Sequence, residues 1–301
     1  MIEHILENYN QVVIYGAKGW VGRSASELLF DSASETQLKK IILIGSKTES
    51  SFTTGLPANV YSASDAHPLL GQEILFINAA YLRREKLQEM GQDQYVSKNL
   101  EITNFPKTLV ASGRISTLVN LSSGVAGRFA LNSDLEIGDL YARCKVLDER
   151  EFTILCEKTQ TNLVNCRIYS MAGKHINEFK NLALSSFISQ AMQPSSLIEV
   201  RSPATFRCYV DSIDLVSVLL KLSLQKQSFW LDSGGTLVSL GELADKVATN
   251  FPKCLVIKSA NSEESEDYFG DFERFNAIAS NLDVELKDMQ NQISETMKAF
   301  T

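Results

Sequence analysis

Short apolar runs alternate with segments of helical periodicity along the first half of the chain. The run 11–15 leads into glycines and then into apolar residues at helical spacing, which predicts a strand, a turn and a helix. The further strands predicted in this half are Ile41–Ile44, Asn59–Tyr61, Glu73–Asn78, Ile115–Leu121 and Thr161–Tyr169. Helical periodicity separates them, most clearly over Glu85–Leu100 and Leu140–Leu155. Because these strands show little polar alternation, both sheet faces are expected to be covered, which predicts an α/β fold with a doubly wound parallel sheet.

The pattern becomes less regular after about residue 170, and a second, smaller lobe is expected to begin there. One strand is predicted at Phe206–Val210. The helices predicted in this half are Leu182–Met192, Leu215–Leu224, Gly241–Asn250 and Asp283–Phe300. In the first half, Pro106 lies inside a long helical segment, so we expect a kink or a restart near Thr103 or Asn104.

Composition and charge narrow the class of protein. The 301 residues include 29 basic and 36 acidic side chains, a net charge of −7, so nucleic acid and anionic membranes are not expected as partners. Apolar runs are far shorter than a membrane span, and the first ten residues lack the basic start of a secretion signal, which favours the cytoplasm. Five cysteines without a C-x-x-C pair and three histidines without ligand spacing predict no metal site.

A glycine pattern follows the first predicted strand. Residues 16–22 read Gly-Ala-Lys-Gly-Trp-Val-Gly, so three glycines open the first helix. Glycine lets a pyrophosphate approach the backbone, and a helix N-terminus attracts negative charge, which together indicate a dinucleotide site. The alternative is a tight turn with close helix packing. The cofactor-binding residues predicted here are Gly16, Lys18, Gly19, Trp20, Val21 and Gly22.

The end of the second strand bears on the choice between NAD and NADP. An acidic residue there would accept from the ribose 2′-hydroxyl of NAD, but Ile44 is followed by Gly45, Ser46 and Lys47. A hydroxyl and an ammonium favour a 2′-phosphate, so we predict NADP with Ser46 and Lys47 in its site and NAD as the alternative. Lys47 projecting into water is the competing interpretation.

Tyr141 and Lys145 lie one turn apart on a predicted helix, and a serine pair, Ser122 and Ser123, ends the strand before it. An ammonium beside a phenol stabilises the phenolate and lowers the phenol pKa, which suits proton transfer during hydride transfer at a carbonyl carbon. A serine hydroxyl would hold the substrate oxygen. The alternative is that these are ordinary helix and loop residues.

These residues resemble the extended branch of the short-chain dehydrogenase/reductase family, which modifies nucleotide sugars, and the resemblance covers nearly the whole chain. It implies a Rossmann domain over residues 1–170 to which 207–232 return, a substrate lobe of 171–206 and 233–301, and a homodimer. Alignment on Gly127 favours Ser122 as the catalytic serine, and alignment on Asn120 favours Ser123. The further site residues implied are Asn78, Ala79 and Ala80 at the cofactor, Asn99 in a water-linked proton relay, Ser170 at the substrate and Arg207 on a substrate phosphate.

The resemblance implies an NADP(H)-dependent reductase acting on a nucleotide-linked 4-keto-6-deoxy sugar. Dehydration is disfavoured, because Gly124-Val125 stand where the sugar dehydratases have an acidic pair. The first alternative is a nucleotide-sugar epimerase that keeps its NAD. A third reading, of another class, is a non-catalytic NADP-binding scaffold or sensor.

Overall fold

The computed structural model describes residues 3–49, 59–65, 71–131, 139–177, 179, 181–259 and 266–300. The helices in these segments are α1 Glu3–Asn8, α2 Trp20–Ser32, α3 Glu35–Leu38, α4 Glu85–Met90, α5 Gln92–Ala111, α6 Gly124–Leu131, α7 Leu140–Thr159, α8 Ala183–Ala191, α9 Ser212–Ser223, α10 Leu240–Ala248, α11 Phe272–Asn281 and α12 Met289–Met297. The strands are β1 Gln11–Tyr15, β2 Ile41–Gly45, β3 Val60–Ser62, β4 Ile74–Asn78, β5 Ile115–Ser123, β6 Asn162–Ile168, β7 Ser170–Ala172, β8 Leu197–Val200, β9 Phe206–Asp211, β10 Phe229–Asp232, β11 Thr236–Ser239 and β12 Leu255–Lys258.

The main sheet has seven strands in the order β10-β6-β5-β4-β1-β2-β3. The pairs from β5 to β3 are all parallel. Tyr15 is level with Ile44 on one side and with Asn78 on the other, and Asn78 is level with Asn120. The carboxyl ends of β1, β2 and β4 therefore share one edge, with the reversal of strand order between β1 and β4. In such sheets, ligands bind at that point.

Burial along the central strands confirms that both faces of this sheet are covered. All five residues of β1 and all five of β4 are buried. On one face, Val13 and Phe76 belong to a core that includes Val110 of α5 and Phe152 of α7. The predicted α/β class with a parallel, helix-covered sheet is confirmed. No helix within the described segments is both long and apolar enough to cross a membrane.

Contacts divide the chain into two compact units, Met1–Arg167 with Val216–Leu231, and Ile168–Leu215 with Asp232–Thr301. The second unit contains the three-stranded sheet β11-β9-β7 and the parallel pair β12-β8. Its core joins α8, α10 and α12 to these strands. Residues 207–215, which the resemblance implied for the first domain, group with the second unit because β9 pairs there with both β7 and β11.

Pro106 lies within α5, which continues from Gln92 to Ala111, so the predicted restart near Thr103 or Asn104 is wrong, while a kink there stays a prediction. A proline removes the N–H that would bond the carbonyl four residues earlier, here that of Ile102. The hydroxyl of Tyr15 donates to this carbonyl at 3.2 Å and takes the place of the missing donor. The helical segment is instead interrupted at Gly91, whose φ of +80° separates α4 from α5.

Candidate functional site

The glycine turn between β1 and α2 is fastened to the end of β2. The backbone N–H groups of Gly16 and Ala17 both donate to the carbonyl of Ile44, at 2.9 and 3.1 Å. Gly16 has φ +85°, and a Cβ there would lie 2.7 Å from the backbone of Ala79. A Cβ at Gly22 would lie 2.1 Å from the carbonyl oxygen of Gly16. Two of the three predicted glycines are thus required by close backbone approach.

This turn brings together most of the residues predicted to hold a cofactor. Ala79 donates its N–H to the carbonyl of Tyr15 at 2.8 Å, so the segment after β4 runs beside the turn. Gly19 precedes the first residue of α2, and no side chain caps this helix. Trp20 and Val21 are buried in its first turn. A tight glycine turn followed by a helix N-terminus without a side-chain cap is the geometry that suits a diphosphate.

Lys18 of the glycine turn and the charged residues after β2 form an ion-pair cluster. Lys18 Nζ lies 2.6 Å from Glu49 Oε1, and Lys47 Nζ lies 3.9 Å from Glu49 Oε2. The hydrogen bond from Lys18 holds the pKa of Glu49 below its usual value, so this carboxyl is ionised at neutral pH. Ser46 is exposed, and Lys47 has a 73% exposed side chain. Sequence reasoning assigned Lys47 to a 2′-phosphate and did not give Glu49 a role.

Lys145 is buried where α7 meets the end of β5. Its Nζ donates to the carbonyl of Leu121 at 3.2 Å, and only 7% of the residue is exposed. Tyr141, half-buried, is one turn earlier on the same helix. The helix begins at Leu140, after Asp139, whose carboxylate accepts from the N–H of Ala142. Burial lowers the pKa of Lys145 to about 8, and the carboxylates of Asp148 and Glu149 oppose that shift.

The two serines at the end of β5 differ in their surroundings. Ser122 is 5% exposed, and its buried Oγ has no hydrogen-bond partner within the described part of the chain. Ser123 is half-buried. Ser122 directly follows Leu121, whose carbonyl accepts from Lys145. A buried hydroxyl without a partner is costly unless a ligand supplies one.

Asn78 and Asn99 are both buried and both hydrogen-bonded. Asn78 Nδ2 donates to Asn120 Oδ1 at 2.9 Å, while Asn78 Oδ1 has no partner among the described residues. Asn99 Oδ1 accepts from the N–H of Leu82 at 3.0 Å, and its Nδ2 donates to the carbonyl of Tyr95 at 3.1 Å. The Asn99 side chain thus fixes the backbone that follows Ala80. Its part in a proton relay stays a prediction.

Tyr81 was missed by sequence reasoning. Lys145 Nζ lies 3.6 Å from the centre of the Tyr81 ring, over its face. The rings of Tyr81 and Tyr141 meet in a T-shaped contact, with centroids 6.0 Å apart. The available signal was its position, directly after the Asn78-Ala79-Ala80 segment that the resemblance placed at the cofactor.

Ser170 and Arg207 lie on adjacent strands of the second unit. Ser170 of β7 is level with Tyr209 of β9, two residues beyond Arg207. Arg207 Nη1 donates to the carbonyls of Phe206 and Glu266, both at 2.9 Å, and its guanidinium lies 5.8 Å from the ring centre of Tyr268. Their contact with substrate stays a prediction.

Comparison with solved structures places this arrangement in a known fold. A UDP-N-acetylglucosamine 4-epimerase from Methanobrevibacter ruminantium M1, in complex with UDP-N-acetylmuramic acid, matches 97% of this chain and 98% of its own at a TM-score of 0.71 and 14% identity. MoeE5 in complex with UDP-glucose and NAD matches 96% and 98% at 0.69 and 16% identity. TunA, an NAD-dependent NDP-hexosamine 5,6-dehydratase, matches 96% and 97% at 0.68 and 13% identity.

No model of a known protein family matches the chain, and no curated protein matches it by sequence. In each comparison the structural likeness spans nearly the full length of both chains, so this chain has the fold of these nucleotide-sugar enzymes. The fold expected from the resemblance to extended short-chain dehydrogenase/reductases is confirmed. Because epimerases and a dehydratase share it, the fold leaves the reaction to the side chains of the site.

Proposed function

We propose that this chain is a nicotinamide-dinucleotide-dependent oxidoreductase that transfers hydride at a carbonyl or hydroxyl carbon of a nucleotide-linked sugar. The observations that carry the proposal are the buried Lys145, which donates to the Leu121 carbonyl, and the orphaned hydroxyl of Ser122, the next residue along β5. Tyr141 lies one turn before Lys145 on α7. The leading reaction is NADP(H)-dependent reduction of a nucleotide-linked 4-keto-6-deoxy sugar.

The residues around the glycine turn fit a dinucleotide. The close backbone packing at Gly16 and Gly22 brings the turn directly to the start of α2, which no side chain caps and whose dipole attracts a diphosphate. The orphaned Asn78 Oδ1 is a buried acceptor at the carboxyl end of β4, beside Ala79 and Ala80. When bound, such a cofactor supplies or accepts the hydride.

Tyr141, Lys145 and Ser122 each have a defined task. Tyr141 gives a proton to the substrate oxygen during reduction, or removes one during oxidation. The positive charge of Lys145 stabilises the phenolate that this transfer leaves behind. Ser122 Oγ donates a hydrogen bond to the same substrate oxygen, and in doing so gains the partner it lacks. In the second unit, Ser170 and Arg207 are proposed to contact the sugar and a phosphate of the nucleotide.

The reductase proposal is tested by mixing purified protein with NADPH and a nucleotide-linked 4-keto-6-deoxyhexose and following loss of the reduced nicotinamide absorbance. Tyr141→Phe keeps the ring and removes the proton, so turnover is expected to fall about 10²–10⁴-fold. Tyr61→Phe, the same change on β3 outside the group of Tyr141, Lys145 and Ser122, is the matched control. Equal turnover in Tyr141→Phe and the parent protein would refute the assigned proton transfer.

The second candidate is a nucleotide-sugar epimerase that retains NAD through reversible oxidation. Glu49 favours it, because a carboxylate near the end of β2 repels a 2′-phosphate and already pairs with Lys18 and Lys47. The two NAD-linked structures of the same fold point in the same direction. Release of NAD from the purified protein by acid, with conversion of a UDP-sugar to its epimer and no net change in cofactor, would establish this reaction over the reductase.

The third candidate is a non-catalytic dinucleotide-binding protein. Stoichiometric cofactor binding without turnover over a broad panel of keto sugars and UDP-sugars would favour it. A cytoplasmic location stays a prediction from the sequence.

The chain is also proposed to form a homodimer. Three large apolar side chains are about half exposed on the contacting helices α5 and α7, namely Leu100, Leu147 and Ile154. Apolar side chains clustered on a surface commonly mark an interface. Light scattering of the purified protein should report twice the 33.4 kDa chain mass. Leu147→Glu should shift the measured mass toward that of a single chain.

A further inference from the structure

We propose that Tyr81 is a positioning residue for the Tyr141–Lys145 pair: its ring face holds the Lys145 ammonium in place and favours its charged form, and its T-shaped contact orients Tyr141. The inference rests on the proposed function for its consequence in catalysis. Its physical content, the hold of one ring on one ammonium, is measurable without turnover.

The surroundings of Lys145 leave the ring as a principal stabiliser of its charge. Within the described segments, the ammonium forms no ion pair with a carboxylate; it meets the Leu121 carbonyl at 3.2 Å and the Tyr81 ring face at 3.6 Å. An aromatic face attracts a cation through its quadrupole, most strongly where water is excluded. Lys145 is such a case, since it is almost wholly buried.

The acidic side chains nearest to Lys145 are engaged elsewhere. On α7, Asp148 pairs with Lys107 of α5 at 2.8 Å, and Glu149 pairs with Arg167 of β6, also at 2.8 Å. These two carboxylates raise the pKa of Lys145 from a distance without contacting its ammonium.

The other titratable groups near Lys145 are Cys144 of its own helix and Tyr81 itself. Burial raises the pKa of Tyr81 far above its ordinary value, so its ring stays neutral throughout the titration. From β5, the group that contacts Lys145 is the Leu121 carbonyl.

The backbone directly after Tyr81 is fixed by two hydrogen bonds to Leu82. Asn99 accepts from the Leu82 N–H at 3.0 Å, and Tyr95 Oη donates to the Leu82 carbonyl at 2.7 Å. Asn99 in turn donates to the Tyr95 carbonyl, so the two α5 residues form one clamp. A backbone fixed at Leu82 limits the positions available to the Tyr81 ring, which is what a fixed platform for an ammonium requires.

The test compares Tyr81→Phe, which keeps the ring face, with Tyr81→Leu and Tyr81→Met, which remove it. Cofactor-free protein with ¹³Cε-labelled lysine is titrated by NMR, and the Lys145 signal is assigned by its loss in Lys145→Met. The parent is expected to titrate at about pH 8. The Leu and Met variants are expected to titrate about one unit lower, and the Phe variant with the parent.

The outcomes separate the ring from other causes. An unchanged Lys145 pKa in both the Leu and Met variants would overturn the inference. A fall of the Lys145 pKa in Tyr81→Phe as large as that in Tyr81→Leu would also overturn it. If Tyr81→Leu does not fold, as judged by circular dichroism, Tyr81→Met decides alone.

The effect of Tyr81 on catalysis is measured separately. In the Leu and Met variants, the high-pH limb of the kcat profile is expected to shift to lower pH together with the Lys145 titration. In Tyr81→Phe, this limb is expected at the pH of the parent protein. A lysine shift without turnover on any sugar would refute the proposed function and support the hold of Tyr81 on Lys145. Turnover without a shift of the Lys145 titration would support the proposed function and refute the hold of Tyr81 on Lys145.

Discussion

The side-chain amide of Asn78 donates to that of Asn120 at 2.9 Å, and Asn120 donates in turn to Asn165 at 2.7 Å. All three residues are buried, and they lie on the adjacent strands β4, β5 and β6. The series continues from Asn165 to Glu149, which forms two hydrogen bonds with Arg167 at 2.8 and 2.9 Å. Side chains therefore tie together three strands that lead into the candidate site.

Asn120→Ala should strongly destabilise the protein. It leaves Asn78 Nδ2 and Asn165 Oδ1 buried without their partners, at a cost of about 3 kcal/mol in the free energy of unfolding. Asn162→Ala, on β6 with one long bond of 3.3 Å to the Ser116 carbonyl, is the control and should cost less than about 1 kcal/mol. Urea unfolding measures both. Equal losses would show that the amide series contributes no special stability.

Replacing Ser122 and replacing Ser123 by alanine are expected to give different results. Ser122→Ala removes the orphaned hydroxyl proposed to bind the substrate oxygen, and kcat should fall about 10²–10³-fold. Ser123→Ala removes a half-buried hydroxyl that is not proposed to bind the substrate oxygen, and kcat should stay close to that of the parent. Steady-state kinetics on the substrate found for the parent decides between them. A larger loss in Ser123→Ala would reverse the assignment.

Glu49→Gln should change cofactor preference. Removal of the carboxylate frees the Lys18 and Lys47 ammonium groups for a 2′-phosphate, so the affinity for NADP relative to NAD should rise about tenfold. Titration calorimetry with each dinucleotide measures the ratio. Glu101→Gln, which removes the same charge from the exposed Lys98–Glu101 pair, controls for net charge. An identical ratio in both variants would exclude Glu49 from the choice.

Lys145 should make stability depend on pH in a defined window. Its pKa is lowered from 10.5 to about 8 by burial, so between these values the unfolded chain binds the proton and the folded chain does not. The free energy of unfolding therefore rises with pH across the window through this group.

Lys145→Met removes that contribution. The parent should gain stability relative to the variant between pH 8 and 10.5, by about 3 kcal/mol at most. Urea titrations at both ends of the window measure the difference. A constant difference between the two proteins would mean that the folded and unfolded pKa values of Lys145 are the same.

Local pattern was sufficient for the elements whose environment is uniform. β1 and β4 are buried along their whole length, so an unbroken apolar run identified them. Pro106 shows the limit of local rules, because the restart predicted from its missing N–H was averted by Tyr15, which is 87 residues from Ile102 along the chain. A residue brought from another element supplied the hydrogen bond that the sequence around Pro106 lacks.

The sequence by itself determined the parallel α/β sheet, the glycine turn and the spacing of Tyr141 and Lys145, because each depends on near neighbours or on repeating burial. Only the tertiary structure decided that Glu49 pairs with Lys18 as well as Lys47, and that the Lys145 ammonium lies over the ring of Tyr81. These contacts join separate elements, and their partners are set by how the strands and helices pack. Charge and ring contacts of this kind leave no periodic trace in a single chain.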